Sequence, residues 1–492
     1  MQILIFTFFV IYTILLFLIT WLTSRKANNQ TYFTGNRKSP WFIVAYGMIG
    51  SSLSGVTFMS VPGDVATTSF TYFCVVLGYI LGYLAVAFLL LPLYYRLRLT
   101  SIYEYLNGRI GNEAHKTGSI LFIISRLLGS ALRMYLVIYV LHIFIFSNWG
   151  IPIWVTAVVM IAIILLYTFQ GGLKTVVWTD TLQTTFMIIA LVITIVVIFK
   201  DMHIDFGSLW HNMEQQGLTK IFDTDWRKPT FYLKQVLGGM FITIAMTGLD
   251  QDMMQKNLSC KSLKDARKNM LSFTGILVFV NALFLLLGGM LILYAQQKGV
   301  NLAGMPTDRI YPELAFHYLG TFVSIVFVIG LISAGYSSAD GTFTALTTSI
   351  CYDIIHIEKR VSTDRRQLWV RRCVHFGISL LFLAVILIAA QYHNDALIRI
   401  IFMVAGYTYG PLLGLFAFGM FTKRQVRHPA LIPLLSVVIP LLCWLLSHYS
   451  EQLLWGYKFG FEILILNGGL QFLMLLAISR KGDIIEDKKT KV

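Results

Sequence analysis

Gly330-Leu331-Ile332-Ser333-Ala334-Gly335-Tyr336-Ser337-Ser338-Ala339-Asp340-Gly341-Thr342 is the stretch on which the fold of this chain turns. It sits inside an apolar run, 319 to 351, long enough to cross a bilayer. Hydroxyls and a carboxylate are costly in hydrocarbon, so a span carrying Ser337, Ser338, Asp340 and Thr342 turns that face toward a partner or a wet cavity. The hydroxyls alone do not choose, since small residues also serve close helix packing and Ser or Thr can bond back to its own helix. Asp340, just past the Ser pair, points to an ion or proton site.

Composition sets the class. Of 492 residues, 57% are hydrophobic and only 13% charged, with a mean hydropathy of +0.70. Repeated long apolar runs make this a polytopic membrane protein and exclude a soluble domain. Residues 1–22 form a first span with no basic n-region and no cleavage pattern, which sets them apart from a signal peptide. The net charge of +15 does not call for nucleic acid, because basic residues of membrane proteins gather in cytoplasmic loops. Cys74, Cys260, Cys351, Cys373 and Cys443 are scattered, without disulfide or metal spacing. His142, His317 and His375 offer no metal pair within a span, which argues against an enzyme.

Apolar windows place spans near 3–22, 41–61, 70–95, 117–146, 151–168, 177–199, 235–254, 269–294, 319–351, 373–391, 395–421, 429–447 and 459–479, about thirteen in all. With these spans, 28 of the 39 Lys and Arg fall in loops on one side and 8 on the other, while Arg126, Arg133 and Arg399 lie within spans. The positive-inside rule then puts the N-terminus outside and the C-terminus in the cytoplasm. Short loops suit a bacterial inner membrane, and a tail from Arg480 to Val492 is too short for a signalling domain.

Two spans read as interrupted. Residues 41–61 contain Gly47, the run Gly50-Ser51-Ser52-Leu53-Ser54-Gly55, and Thr57, too many helix-weakening residues for a plain rod. Five spans later, 235–254 carries Gly238-Gly239 and Thr247-Gly248-Leu249-Asp250. Inverted-repeat transporters use such paired discontinuous helices to build midplane sites. Arg126, Ser130 and Arg133 share one helical face. Arg126 lies near enough to the basic side to snorkel or to make a structural ion pair. Arg133 is mid-span and needs a fixed partner or an anionic ligand, for which a guanidinium is suited. Asp180 opens a span, Asp64 follows the first break, and Tyr72 and Phe73 stand where they can wall a cavity. Most other aromatics fit an interfacial belt.

Ordered pieces over nearly the whole chain resemble the sodium/solute symporter family, the group of sodium/glucose, sodium/proline and sodium/sialic acid transporters. They are Tyr32 to Arg37, Ser51 to Pro62, Thr100 to Leu106, Gly171 to Asp180, Asp250 to Lys256, Ser337-Ser338 with Tyr352-Asp353-Ile354, and Gly410 to Phe416. The resemblance implies an all-α, LeuT-type core of two inverted five-helix repeats with a broken first core helix. The segments become 1–40, an extra helix and cytoplasmic loop; 41–199, the first repeat; 200–234, an extracellular loop; 235–421, the second repeat; and 422–492, two further helices and a tail.

The same resemblance implies a sodium site made by carbonyls of Gly50, Leu53 and Ala334 with hydroxyls of Ser337 and Ser338, a neutral oxygen cage suited to a hard cation. Some members hold a second cation near the position of Asp180. Here Asp340-Gly341 replaces two hydroxyl residues, so Asp340 can bind a second sodium, carry a proton, or pair with Arg126; one transported sodium is the expectation. Ser54 and Thr57 match substrate-facing hydroxyls. Counting back from Tyr167-Thr168 places Arg133 at the arginine that grips a substrate carboxylate in the sialic acid branch; counting forward from Thr100-Ser101 lands on Gly129, between Arg126 and Arg133. An amide of that branch is replaced here by an apolar residue, Val76. The expected function is sodium-coupled import of a small organic anion, sialic acid or another carboxylate. Sugar or amino acid symport, proton coupling through Asp340, and solute sensing without transport are the alternatives. Sodium, the solute and the lipid bilayer are the expected partners, nucleic acid is not one, and the chain is expected to work as a monomer.

Overall fold

The computed structural model describes residues 2–25, 28–392 and 395–481. Helices make up nearly all its regular structure, and each of the thirteen apolar windows overlaps helical segments. Eight helices are long and apolar enough to cross a bilayer, or nine when the bent pair Tyr232–Gly248 and Gln251–Leu258 counts as one. Trp41–Ser52, Ile153–Thr168 and Ile463–Ala477 are shorter apolar helices. The Arg399 side chain and residues 482–492 lie outside the described residues.

One departure from an all-helical chain is a three-residue antiparallel ribbon of Arg424–Val426 with Ser479–Lys481. It forms where the segments leaving the Asp395–Phe421 and Ile463–Ala477 helices run side by side, and Arg424 Nε donates to Ser479 Oγ at 2.8 Å. A ladder this short needs no alternating apolar pattern, so periodicity gives no sign of it.

Burial sorts the helices into centre and rim. The most apolar window of the Gly320–Ile354 span is 89% buried, against 28% for Ile3–Ser24 and 22% for Leu431–His448. A helix buried all round occupies the core, while the other two present Ile3, Phe6, Leu434 and Leu441 outward, as lipid-facing helices do. The Leu173–Met202 helix packs along Gly320–Ser349, and Asn112–Leu141 contacts both Gly320–Ser349 and Asp395–Phe421.

Both suspected interruptions fall on non-helical backbone. Trp41–Ser52 ends at Leu53 (φ −89°, ψ 89°), and Gly55–Thr68 begins after Ser54 (φ −69°, ψ 166°). Ser54 caps the second piece, accepting the Thr57 N–H at 3.4 Å, so its hydroxyl satisfies an N–H that has no partner within the helix. Tyr232–Thr243 runs through a wide turn, Ile244–Gly248, and then bends 66° into Gln251–Leu258. Asp250 caps that last piece by accepting the Met253 N–H at 3.2 Å.

Candidate functional site

The break at Leu53 and Ser54 opens onto a cavity of about 360 Å³. Ser54, Thr57, Tyr72 and Arg133, assigned to the substrate from sequence, all line it, although they come from three different helices. Tyr79 and Tyr83 follow Tyr72 on the same helix face, and the Tyr72 and Tyr79 hydroxyls lie 2.9 Å apart. Val76 is fully buried and is not among the residues that line the cavity. An amide does reach the cavity from elsewhere. Asn281 on Leu263–Gln297 lines it, donates through Nδ2 to the Leu277 carbonyl at 2.8 Å, and leaves Oδ1 without a partner. Thr243 Oγ1, also in the wall, is likewise buried and unsatisfied.

The two span arginines part company here. Arg126 is locked: Nη2 contacts Asp252, Nη1 lies 3.4 Å from Asp250, and Nε donates to Thr342 Oγ1 at 3.2 Å. This replaces the suggested pairing with Asp340 and makes Arg126 a structural cation, because two carboxylates from the bent segment reach it first. Gly341 makes room for Asp252, since a β-carbon there would fall 2.8 Å from the Asp252 carboxyl carbon. Arg133 lies half-buried in the cavity wall with no hydrogen bond or ion pair among the described residues. A guanidinium held in this way is a ready anion site.

Lys256 is the residue that sequence reasoning misplaced. Lying at the end of a span, it was counted with a solvated basic loop, yet it is 1% exposed. Its Nζ lies 2.9 Å from Asp180 Oδ2 and 3.2 Å from Asp252 Oδ1, and donates to Ser51 Oγ at 2.6 Å. The bent segment turns back into the protein after Asp250 and carries Lys256 with it. Asp250, Asp252 and Lys256 are therefore site-forming residues whose signal was the i, i+4 pairing of Asp252 with Lys256 beside an expected break.

Of the residues assigned to sodium, Gly50 and Ser337 come together near the same break. Ser337 Oγ donates to Asp180 Oδ1 at 2.6 Å and lies 3.3 Å from Ser51 Oγ. Gly50 donates its N–H to Thr184 Oγ1 at 3.0 Å, and a β-carbon at Gly50 would sit 3.1 Å from Ser337 Oγ, so the two helices touch here. Ser338 Oγ is buried without a hydrogen-bond partner, an orphan of the kind that calls for a ligand. Leu53 lines the cavity, and Ala334 is buried one turn before Ser338. Asp340 is buried and forms no ion pair among the described residues. Its Oδ2 accepts from Tyr167 Oη at 2.8 Å, Gln183 Nε2 at 3.3 Å and Thr179 Oγ1 at 3.4 Å.

The Asp180, Asp250 and Asp252 carboxylates thus face two cations, Arg126 and Lys256, within one connected network. Among the described residues no cluster of His, Cys, Asp and Glu is built to hold a metal ion.

The sodium-coupled monocarboxylate transporter 2 of Danio rerio is 28% identical over 409 residues, covering 80% of this chain. This chain spans 63% of that relative's length. The sodium/sialic acid symporter SiaT of Proteus mirabilis (strain HI4320) is 25% identical over 447 residues, covering 88% of this chain and 86% of its own. A solved sodium-coupled sialic acid symporter in a substrate-bound, outward-open state superposes with a TM-score of 0.83 at 20% identity, over 97% of this chain and 99% of that one. At that identity the likeness concerns the fold. The family model described as the sodium:solute symporter family matches residues 32–436, most of the sequence, and the chain belongs to that family.

Proposed function

We propose that this chain imports a small organic anion by symport with sodium. The observation that carries this reading is the Arg133 guanidinium, which has no protein partner among the described residues and lines a cavity at the Leu53–Ser54 break. Monocarboxylate and sialic acid in the relatives' names are carboxylates, the chemistry a guanidinium binds in bidentate fashion. A 360 Å³ cavity with tyrosine hydroxyls and one free amide oxygen suits a carboxylate that also bears hydroxyl or amide groups.

In this account sodium sits among the Gly50, Leu53 and Ala334 carbonyls and the Ser337 and Ser338 hydroxyls. Three carboxylates against two cations leave the Asp180, Asp250 and Asp252 network one charge short of neutral, which favours a single sodium nearby. Lys256 occupies the open side of Asp180, so Asp180 contributes charge more than a second ion seat, and Asp340 modifies coupling from its own pocket. Sodium draws Trp41–Ser52 toward Gly320–Ser349 and so fixes Ser54 and Thr57 for the solute; coupling is the shared preference of both ligands for that state. The network borders the cavity through Ser51 and Arg126, so release on the other side requires it to part.

The broken first core helix, the thirteen spans with repeats at 41–199 and 235–421, the outside N-terminus and cytoplasmic C-terminus, the bacterial inner membrane and action as a monomer belong to the same proposal. The test is the melting temperature of the purified chain against carboxylates, sialic acids, sugars and amino acids, each in sodium and in potassium. A ligand that binds only the native state raises apparent stability with its concentration over its dissociation constant. Stabilisation by an anionic ligand in sodium alone is the predicted result; stabilisation by a neutral sugar, or equally in potassium, would overturn the proposal.

A further inference from the structure

A second recess, of about 710 Å³, lies where the chain enters the Asp364–Tyr392 helix. Arg360, Arg365, Arg366 and Arg372 line it together with Trp369, and no acidic residue does. None of these arginines forms an ion pair among the described residues, and Arg372 Nε is buried without a hydrogen-bond partner, its guanidinium lying 5.6 Å from the Phe169 ring. Four like charges sharing one wall repel one another unless an anion or water screens them. The recess shares no lining residue with the transport cavity.

What lies beyond the recess identifies the anion. Trp369, Phe376 and Leu380 are exposed, and their spacings of seven and eleven residues place them on one helical face. In a chain that crosses the bilayer, an exposed apolar stripe faces acyl chains, and a tryptophan at its end marks headgroup depth. The arginines therefore stand at the head of a lipid-facing groove, where a phosphate can meet the guanidiniums while its acyl chain follows the stripe. A soluble phosphate would use the first feature and not the second. We propose that this recess binds the phosphate headgroup of an anionic phospholipid.

The test is lipid binding to the full-length purified chain in nanodiscs or mixed micelles, titrated with phosphatidylglycerol and with phosphatidylcholine, for the unmodified chain and for the double variant Arg365→Gln, Arg366→Gln. Both substituted residues are exposed, and the melting temperature without added lipid checks that the variant folds. Phosphatidylglycerol should bind more tightly than phosphatidylcholine, by about fivefold for each arginine engaged, and the double variant should lose about 25-fold of that preference. Binding to the unmodified chain should also weaken as salt rises, a readout that needs no variant. Equal affinity for both lipids, an unchanged preference in the double variant, or displacement of phosphatidylglycerol by millimolar inorganic phosphate would overturn the proposal, the last by showing a soluble-anion site instead.

Discussion

Replacing Arg133 with Gln separates a ligand-binding cation from a structural one. Arg133 has no protein partner among the described residues, so its loss leaves no buried carboxylate uncompensated, and the melting temperature without ligand should stay close to that of the unmodified chain. A charged hydrogen bond contributes about 1.5–3 kcal/mol, so affinity for a carboxylate ligand should fall about 10- to 150-fold at 1.4 kcal/mol per factor of ten. Arg126→Gln is the matched control. It strips the guanidinium from Asp250 and Asp252, and breaking a buried pair from one side costs about 3–5 kcal/mol, so that variant should melt markedly lower with or without ligand. Thermal melts and ligand titrations in sodium read both quantities. If Arg133→Gln keeps its carboxylate affinity, or is destabilised as much as Arg126→Gln, the assignment of Arg133 to the substrate is refuted.

Lys256→Met should lower stability by about 3–5 kcal/mol by leaving Asp180 unpaired in the interior. Adding Asp180→Asn should recover part of that loss in a double-mutant cycle, and strict additivity would show that the pair is not coupled. Gly341→Ala forces a methyl group against the Asp252 carboxylate and should cost about 1–3 kcal/mol, as overpacking does; a melting temperature equal to the parent's would contradict that contact. In the 200–234 segment, the Thr230 hydroxyl, together with Lys220, holds the Asp223 carboxyl below the usual carboxylate range. Its stabilising share is therefore present above about pH 3.9 and is lost as pH falls through the lower folded value. Limited proteolysis across acidic pH should show this segment loosening, and Asp223→Asn should remove that dependence.

What could be read in advance follows from how local each feature is. The Gly and Ser run at 50–55 weakens a helix through its own residues, and the break lies at Leu53–Ser54. Arg133 and Arg126 share a face, which periodicity reveals, but which of them is neutralised depends on Asp250 and Asp252, brought in from more than a hundred residues away. Lys256 looked like part of a basic loop because charge counting assumes that a lysine past a span is solvated, whereas the bend at Leu249–Asp250 returns it to the interior. Tyr79 and Tyr83 were absorbed into an interfacial belt by composition, although their spacing from Tyr72 already placed them on the cavity face. Asn281 gave no signal, since a lone amide in an apolar helix is equally suited to bonding its own backbone, which its Nδ2 does.

The most direct measurement is uptake of a radiolabelled carboxylate, chosen from the thermal-shift panel, into proteoliposomes holding the purified chain under an inward sodium gradient at fixed pH. The account predicts concentrative uptake that collapses when potassium replaces sodium and that Ser338→Ala abolishes through loss of a sodium-ligand oxygen. Uptake that survives in potassium and follows a proton gradient instead would contradict it.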